Sequence, residues 1–293
     1  IFKVMEEIKK MPGLVLSQPD YIYTSFSEPM DDMQNLPGLL GMDRKPDHTG
    51  KGVGVGIVDT GVDRTHKDLE AAVVFADNFL ETGPAKAEIH GTGVAGLVGA
   101  RINSFGISGL APQCRILALR ACRQVSEGRP AGECYTHSLV KALDTGIGQG
   151  ASIINMSLGM QGEDRIMSRL IRAGARKHIL FTAPAGNRPD SAVMAFPASH
   201  PDVISVGGRL ADGRLFPNDS LAGKADIRVP CSNLLTTVPG DSHNFLSGTS
   251  VSSAVVSGLL ALCLEKDPDF SLETFRSFNG RLEDIFAFIS SAQ

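Results

Sequence analysis

Short apolar runs of four to six residues recur along the chain between residues 53 and 206. Nearly every position in them is apolar, as in strands that are covered on both faces, and such strands are typical of parallel sheets. Longer helical patterns separate the runs, so the sequence predicts an α/β fold with a doubly wound, mostly parallel sheet and helices on both faces. The runs are Val53–Val58, Ile116–Leu119, Ile153–Met156, Ile179–Ala183 and Val203–Val206, and the helical patterns are Gly91–Ala100, Tyr135–Gly148 and Asp164–Lys177.

The composition limits the classes of protein to which the chain can belong. The 293 residues carry a net charge of only -4, with 42% hydrophobic and 20% charged residues. This composition is not that of a disordered chain, and it lacks the basic surface of a nucleic-acid-binding protein. No run approaches the roughly 18 apolar residues that a membrane helix needs. We therefore expect neither a nucleic-acid partner nor a membrane span.

Five cysteines are too few for a fold built on disulfides, and their odd number leaves at least one thiol unpaired within the chain. Cys122 and Cys134 enclose a loop of unusual sequence. They either form a disulfide across that loop or remain a buried thiol and a loop thiol, and the sequence does not separate the two alternatives.

The N-terminal region differs in composition and residue pattern from the rest of the chain. Val4–Lys10 predicts an amphipathic helix and Leu14–Leu16 a short strand. The segment from Ser25 to Gly38 is rich in Ser, Pro, Asp and Gly, as linkers are. We therefore divide the chain into an N-terminal segment, residues 1–32, and a main domain, residues 33–293.

Three polar residues stand at the ends of predicted elements. Asp59 follows the first apolar run, His90 begins a helix whose glycines permit close packing on the strand beneath, and Ser250 precedes the apolar stretch Val251–Leu264. Taken singly, each has an ordinary structural explanation, as a turn residue, a structural histidine or a helix cap. Together they supply an acid, an imidazole and a hydroxyl in the order Asp, His, Ser.

The sequence around these residues resembles the signature blocks of the subtilisin-like serine proteases, the subtilase family. The resemblance extends from Gln34 to Leu264. It implies a serine endopeptidase that acts on extended polypeptide substrates, with Asp59, His90 and Ser250 as its catalytic triad. The matching blocks are Val58–Asp63, His90–Gly96 and Ser247–Ser250.

The resemblance also implies an oxyanion hole and a set of substrate-binding residues. Asn187 matches the asparagine that stabilises the tetrahedral oxygen together with the Ser250 backbone N–H. The segment Asn155–Gly159 resembles the one that pairs backbone to backbone with an extended substrate. The substrate-binding residues implied are Ser157, Leu158, Gly159, Gly186 and Arg188.

Arg188 is a feature specific to this sequence. In the family the side chain at this position lies near the mouth of the specificity pocket. We therefore hypothesise a preference for an acidic residue before the scissile bond. A solvated surface arginine is the alternative.

Calcium is the expected cofactor. The segment Arg101–Gly109 resembles the calcium-binding loop of the family, and six oxygen ligands suit this ion. A turn without metal is the alternative, because carbonyl ligands are not visible in side chains. The implied ligands are the side chains of Gln34, Asp68 and Asn103 and the carbonyl groups of Arg101, Phe105 and Ile107.

The segment Val4–Tyr23 resembles the last helix and strand of an inhibitory propeptide. This implies a zymogen that is cut near Asp31-Asp32-Met33. A structured N-terminal extension that stays on the domain is the alternative.

Two other functions remain open at this stage. One is a peptide ligase or macrocyclase on the same scaffold, which needs a lid that excludes water. The other is a catalytically silent binding protein.

Overall fold

The computed structural model describes residues 22–25, 40, 47–81, 83–186, 193–210, 212–217 and 225–291. The predicted elements Val4–Lys10 and Leu14–Leu16 lie outside these residues, as does the boundary between residues 32 and 33. Three of the predicted site residues also lie outside them: Gln34, Asn187 and Arg188.

The described residues form three sheets, with helices between and after their strands. In chain order the strands are β1 (Ile22–Ser25), β2 (Gly54–Asp59), β3 (Val73–Asn78), β4 (Arg115–Arg120), β5 (Cys122–Gln124), β6 (Gly132–Tyr135), β7 (Ile153–Asn155), β8 (Leu158–Gly159), β9 (Leu180–Pro184), β10 (Val203–Arg209), β11 (Ile227–Pro230), β12 (Leu234–Val238) and β13 (Ser242–Leu246). The helices are α1 (Ile89–Gly99), α2 (Thr136–Gly148), α3 (Arg165–Ala175), α4 (Thr249–Lys266), α5 (Leu272–Ser277) and α6 (Leu282–Ser290).

A seven-stranded parallel sheet forms the centre of the domain, in the order β11-β10-β9-β7-β2-β4-β3. The chain starts this sheet at β2, adds β3 and β4 on one side, and then crosses to β7 to build the other side. The predicted doubly wound α/β sheet is confirmed. The crossover makes the carboxyl ends of β2 and β7 a topological switch point, where ligands bind in such sheets.

The predicted apolar runs overlap the strands β2, β4, β7, β9 and β10. The two edge strands of the large sheet, β3 and β11, are missing from the prediction. Every residue of β3 is at least partly exposed. Its sequence therefore does not show the continuous apolar run of a strand that is buried on both faces.

Helices cover both faces of the central sheet, as predicted. Helices α1 and α4 pack with Ile57 and Ile153 in one hydrophobic core. Helices α2 and α3 pack with Val58 and Ile154 in a second core. Because successive side chains of a strand point to opposite faces, β2 and β7 each contribute to both cores.

Helix α4 is long and apolar enough to cross a membrane by length and composition alone. In this structure 89% of its apolar window is buried inside the domain. It is therefore a core helix of the α/β fold.

Two glycines of α1 permit close packing on the antiparallel hairpin formed by β12 and β13. A Cβ atom at Gly93 or Gly96 would collide with the side chains of β12 and β13, so these glycines let the helix approach that hairpin. The contact is closed by Thr236 Oγ1, which donates to the Gly93 carbonyl at 2.6 Å. The strands on which these two glycines pack are thus those of the hairpin and not those of the central sheet.

A separate antiparallel sheet has the order β5-β6-β1-β8. Cys122 and Cys134 are directly paired across β5 and β6, and they form a disulfide. Of the two alternatives left open by the sequence, the disulfide is the one that the structure contains.

The remaining cysteines, Cys114, Cys231 and Cys263, are buried thiols. Burial raises the pKa of the Cys114 and Cys263 thiols to about 12. These two thiols therefore stay protonated at neutral pH and act as small apolar side chains of the core.

Candidate active site

Asp59 is the last residue of β2 and lies buried at the carboxyl edge of the sheet. Its Oδ1 accepts hydrogen bonds from the Thr60 backbone N–H at 2.6 Å and from His90 Nδ1 at 2.6 Å. The imidazole and the carboxylate are both about 1% exposed. The structure thus brings together the first two predicted site residues in a buried acid–imidazole pair.

The first turn of α1 fixes the position of His90. Thr60 Oγ1 accepts from the Gly91 N–H at 2.9 Å, and Gln124 Oε1 accepts from the Ile89 N–H at 2.9 Å. These bonds satisfy two of the N–H groups that a helix leaves open at its start. A Cβ atom at Gly91 would collide with the Thr60 carbonyl. Only glycine therefore allows α1 to begin this close to the loop after Asp59.

Ser250 is the second residue of α4 and is fully buried. Its Oγ donates a hydrogen bond to the Ser157 carbonyl at 3.2 Å. Within the described residues, His90 Nε2 is buried and has no hydrogen-bond partner. The Ser250 hydroxyl is therefore turned toward the Ser157 carbonyl and makes no hydrogen bond to His90 Nε2.

A buried polar network below Ser250 was not predicted from the sequence. Asn155 Nδ2 donates to Ser157 Oγ at 2.8 Å, and Ser157 Oγ donates to the Ser250 carbonyl at 3.0 Å. The Asn155 amide oxygen also accepts from three hydroxyls, those of Thr182 (3.1 Å), Ser253 (2.8 Å) and Ser257 (3.3 Å). The network fixes the first turns of α4 to the ends of β7 and β9. The only sequence signal for it was the series of serines on an otherwise apolar helix.

The predicted oxyanion segment is described only up to Gly186. This glycine is buried, follows β9 at the carboxyl edge of the sheet, and has a φ of 125°. Residues that carry a side chain rarely adopt that φ, so glycine is required for the chain to leave the strand here.

The predicted substrate-binding residues Leu158 and Gly159 form strand β8, and its partner is the N-terminal strand β1. Thr24 is paired with Gly159 and Ser25 with Leu158, in antiparallel register. The other edge of β1 is paired with β6. An extended segment of this chain thus lies between β6 and β8.

The predicted calcium loop surrounds the buried carboxylate of Asp68. Asp68 Oδ1 accepts a hydrogen bond from Asn103 Nδ2 at 3.0 Å, and Asp68 Oδ2 accepts one from the Ile107 N–H at 3.0 Å. The carbonyl oxygens of Arg101, Phe105 and Ile107 accept no hydrogen bond from the described part of the chain.

Two histidines adjoin this carboxylate, and the sequence did not single them out. His243 Nε2 lies 2.8 Å from Asp68 Oδ2, and the two groups form a hydrogen bond. His66 Nδ1 accepts from the Asp68 N–H at 3.1 Å, which leaves its Nε2 as the donor to the Ser242 carbonyl at 3.0 Å. Both ring nitrogens of His66 are thus occupied. This histidine anchors the turn before Asp68 and offers no free ring nitrogen to an ion.

Comparison with known proteins identifies the family. The model of the subtilase family matches residues 50–279. Subtilisin NAT of Bacillus subtilis subsp. natto is 26% identical over an alignment of 299 residues that covers 99% of this chain and 74% of the relative. The thermophilic serine proteinase of Bacillus sp. (strain AK1) is 31% identical, with 88% of this chain and 65% of the relative covered. The major intracellular serine protease of Bacillus subtilis (strain 168) is 28% identical, with coverages of 80% and 77%.

The matched region includes Asp59, His90 and Ser250. The parallel sheet at the centre of the domain is doubly wound, as predicted from the sequence. The chain therefore belongs to the subtilase family of serine endopeptidases.

Proposed function

We propose that this chain hydrolyses peptide bonds with Ser250 as nucleophile, His90 as general base and Asp59 as the group that orients the imidazole. The observation that carries this proposal is the buried 2.6 Å hydrogen bond between His90 Nδ1 and Asp59 Oδ1. With Nδ1 held by the carboxylate, Nε2 is the nitrogen that can take a proton from a hydroxyl.

The reaction proceeds in two halves. Ser250 Oγ turns from the Ser157 carbonyl to His90 and attacks the scissile carbonyl carbon while its proton passes to Nε2. His90 then gives that proton to the leaving amine, and an acyl ester remains on Ser250. Water attacks this ester with His90 again as base, which releases the second product and restores the hydroxyl. Asp59 stabilises the imidazolium in both halves.

The tetrahedral intermediates carry a negative oxygen that needs hydrogen-bond donors. The proposed donors are the Ser250 backbone N–H, at the start of α4, and the side-chain amide of Asn187. The turn at Gly186 supports this assignment, because it directs the chain out of β9 immediately before Asn187. One such donor typically contributes about 10²–10³ in turnover.

The nucleophile is tested with Ser250→Ala, which should lower kcat by roughly 10⁶-fold because no other hydroxyl occupies its place. A fluorophosphonate probe followed by peptide mass spectrometry should label Ser250 in the wild-type protein. Ser252→Ala is the matched control: it removes a buried hydroxyl from the same helix, one that bonds to the Val229 carbonyl, and should keep labelling and turnover.

Label on a different residue, or full activity of Ser250→Ala, would contradict the proposed nucleophile. Product masses should show the addition of water to the cleaved peptide. Cyclic or ligated products would instead favour the ligase alternative.

We also propose that the groove between β6 and β8 receives the substrate as an added antiparallel strand. The pairing of β1 with both strands supports this, since it shows that an extended backbone fits between them. In a peptide that pairs in the register of β1, the residue that follows the position of Ser25 would lie beside Ser157. The Ser157 carbonyl contacts the Ser250 hydroxyl. The scissile bond would therefore lie close to that peptide residue.

This groove supports the proposal that residues 1–32 are an inhibitory propeptide, because β1 occupies the place proposed for the substrate. The register of β1 favours a cut soon after Ser25, near Phe26, and so ahead of the Asp31–Met33 site that the sequence suggests. The alternative of a permanent N-terminal extension would leave β1 in the groove of the active enzyme.

N-terminal sequencing of the purified proteins separates these alternatives. Wild-type protein that hydrolyses peptides should begin downstream of Ser25, whereas Ser250→Ala should keep the segment before Ser25, because it lacks the nucleophile for its own processing. An active enzyme that still carries this segment on an uncut chain would contradict the propeptide.

For Arg188 we propose a role in selecting an acidic residue before the scissile bond. The support is chemical: a guanidinium beside the oxyanion asparagine would pair with a substrate carboxylate. An exposed ion pair contributes up to about 1 kcal/mol, which corresponds to about fivefold in relative rate.

Arg188→Gln should therefore lower the ratio of kcat/KM for matched Asp and Leu substrates by about fivefold. The control is Arg214→Gln, which alters an exposed arginine paired with Asp212 after β10 and should leave the ratio unchanged. A wild-type ratio that Arg188→Gln does not change would show that this arginine is merely solvated.

Calcium is the proposed structural ion, held by Asp68, Asn103 and the carbonyl groups of the loop. The residues fit such an ion in two respects. Asp68 is a buried carboxylate, and the carbonyl oxygens of Arg101, Phe105 and Ile107 accept no bond from the described residues. Gln34 is the remaining proposed ligand. The ion would stabilise the loop between α1 and β4 and would take no part in the reaction.

Calcium at about 100 times its dissociation constant should stabilise the fold by about 2.7 kcal/mol, so the melting midpoint should rise with calcium and fall with a chelator. Magnesium serves as the control ion, because it prefers smaller octahedral sites. In Asp68→Asn the difference between calcium and chelator should be lost. A wild-type midpoint that is equal in calcium and in chelator would contradict the ion.

A further inference from the structure

Glu88, the residue immediately before α1, has a side chain that is only 10% exposed and accepts four hydrogen bonds. Its Oε2 accepts from the Gly61 N–H at 2.7 Å and from Arg120 Nε at 2.9 Å. Its Oε1 accepts from Arg120 Nη2 at 3.0 Å and from the Gln124 N–H at 3.0 Å. One carboxylate thus binds donors from three separate parts of the chain.

Each of these donors belongs to a segment that carries part of the proposed site. Gly61 is two residues after Asp59. Arg120 ends β4 and is paired with Asp59 in the parallel register of β2 and β4. Gln124 ends β5, in the disulfide-linked hairpin whose other strand borders the groove. Glu88 therefore touches the loop after the acid, the neighbouring strand and the groove hairpin at once.

Two further hydrogen bonds close the network around the start of α1. The Glu88 N–H donates to the Gly61 carbonyl at 3.0 Å. Gln124 Oε1 accepts from the Ile89 N–H at 2.9 Å, directly before His90. Movement of the Glu88 carboxylate would therefore alter both the loop after Asp59 and the first turn of the helix that carries His90.

The charges in this network are matched. Arg120 is 3% exposed, and its guanidinium needs a counter-ion to remain buried. Burial alone would raise the pKa of Glu88, but the Arg120 guanidinium and the Gln124 and Gly61 N–H groups outweigh it and hold the pKa below its usual range. Glu88 is thus ionised at neutral pH.

We propose that Glu88 is a positioning residue that couples the alignment of His90 with Asp59 to the placement of the β5–β6 hairpin. It touches no reacting atom and acts through the start of α1 and through Gln124. The proposal rests on the proposed function, since it concerns the same triad and groove. Its consequence is that one side chain influences both turnover and substrate binding.

Glu81 provides a matched control on the same arginine. It contacts Arg120 Nη1 at 3.3 Å, but its other ion pair is with the exposed Lys86, and its side chain is 49% exposed. Glu81→Gln thus removes a carboxylate from Arg120 without touching Gly61 or Gln124. Any effect of lost charge on Arg120 alone should appear in this variant.

The test measures kcat and KM separately for Glu88→Gln and Glu81→Gln, well below both melting midpoints. Glu88→Gln should lower kcat and raise KM, with kcat/KM reduced about 10- to 100-fold by the displaced imidazole and hairpin. Labelling of Ser250 by a small fluorophosphonate, which does not occupy the groove, should slow in parallel with kcat. Glu81→Gln should stay within about twofold of wild type, since exposed ion pairs contribute little.

Loss of stability is separated from loss of positioning by the double variant Glu88→Gln, Arg120→Gln. Removing both buried charges should restore the melting midpoint toward that of wild type, because no unpaired charge remains. The low kcat and high KM should persist. The double variant also allows the measurement if Glu88→Gln alone does not fold.

The positioning role would be overturned if Glu88→Gln and Glu81→Gln had equal kcat and KM. It would also be overturned if the double variant recovered both constants together with its melting midpoint. The proposed function is tested independently by labelling of the wild-type protein and its loss in Ser250→Ala. A labelled, active enzyme with kinetics insensitive to Glu88 would therefore refute this inference alone.

Discussion

The buried hydrogen bond between Asp59 and His90 is the constraint on which the rest of the site depends. A carboxylate that is 1% exposed must be paired, so α1 has to begin within bonding distance of the loop after β2. That approach requires glycine at position 91, because any Cβ would collide with the Thr60 carbonyl. It also requires partners for the first N–H groups of the helix, and Thr60 and Gln124 supply them. The glycine directly after His90 is thus a consequence of burying the pair.

Ser250 is held by a different set of interactions. Helix α4 is buried along almost its whole length, so hydroxyls on its inner face need partners within the protein. Asn155 provides them through one amide oxygen, which accepts from Ser253 and Ser257, while its nitrogen reaches Ser157 and through it the Ser250 carbonyl. The network fixes the helix against the end of β7, across the switch point from Asp59. The acid at the end of β2 and the nucleophile on α4, which is anchored to the neighbouring β7, are therefore positioned through independent polar contacts.

Much of this arrangement could be predicted from the sequence, because the relevant signals are local. The strands of the sheet interior are near-continuous apolar runs. Asp59 stands at the end of such a strand, and His90 and Ser250 stand at the starts of helices. The Glu88 network could not be predicted, since it depends on β4 lying next to β2 and on Gln124 returning to the start of α1. For the same reason the sequence left the state of Cys122 and Cys134 open. Their pairing follows from the hairpin register, which no local pattern specifies.

The groove illustrates how far a function can depend on such distant pairings. Strand β8 is only two residues long, and β6 is separated from it in sequence by the whole of α2 and β7. The strands β6 and β8 do not pair with each other. Instead, each pairs through its backbone with β1. Without an inserted strand, both would leave backbone N–H and C=O groups unpaired toward the gap. These groups are satisfied by any extended backbone of suitable length, whatever its side chains. In the proposed enzyme, therefore, the groove sets the conformation of the bound peptide and leaves the choice among sequences to side-chain contacts.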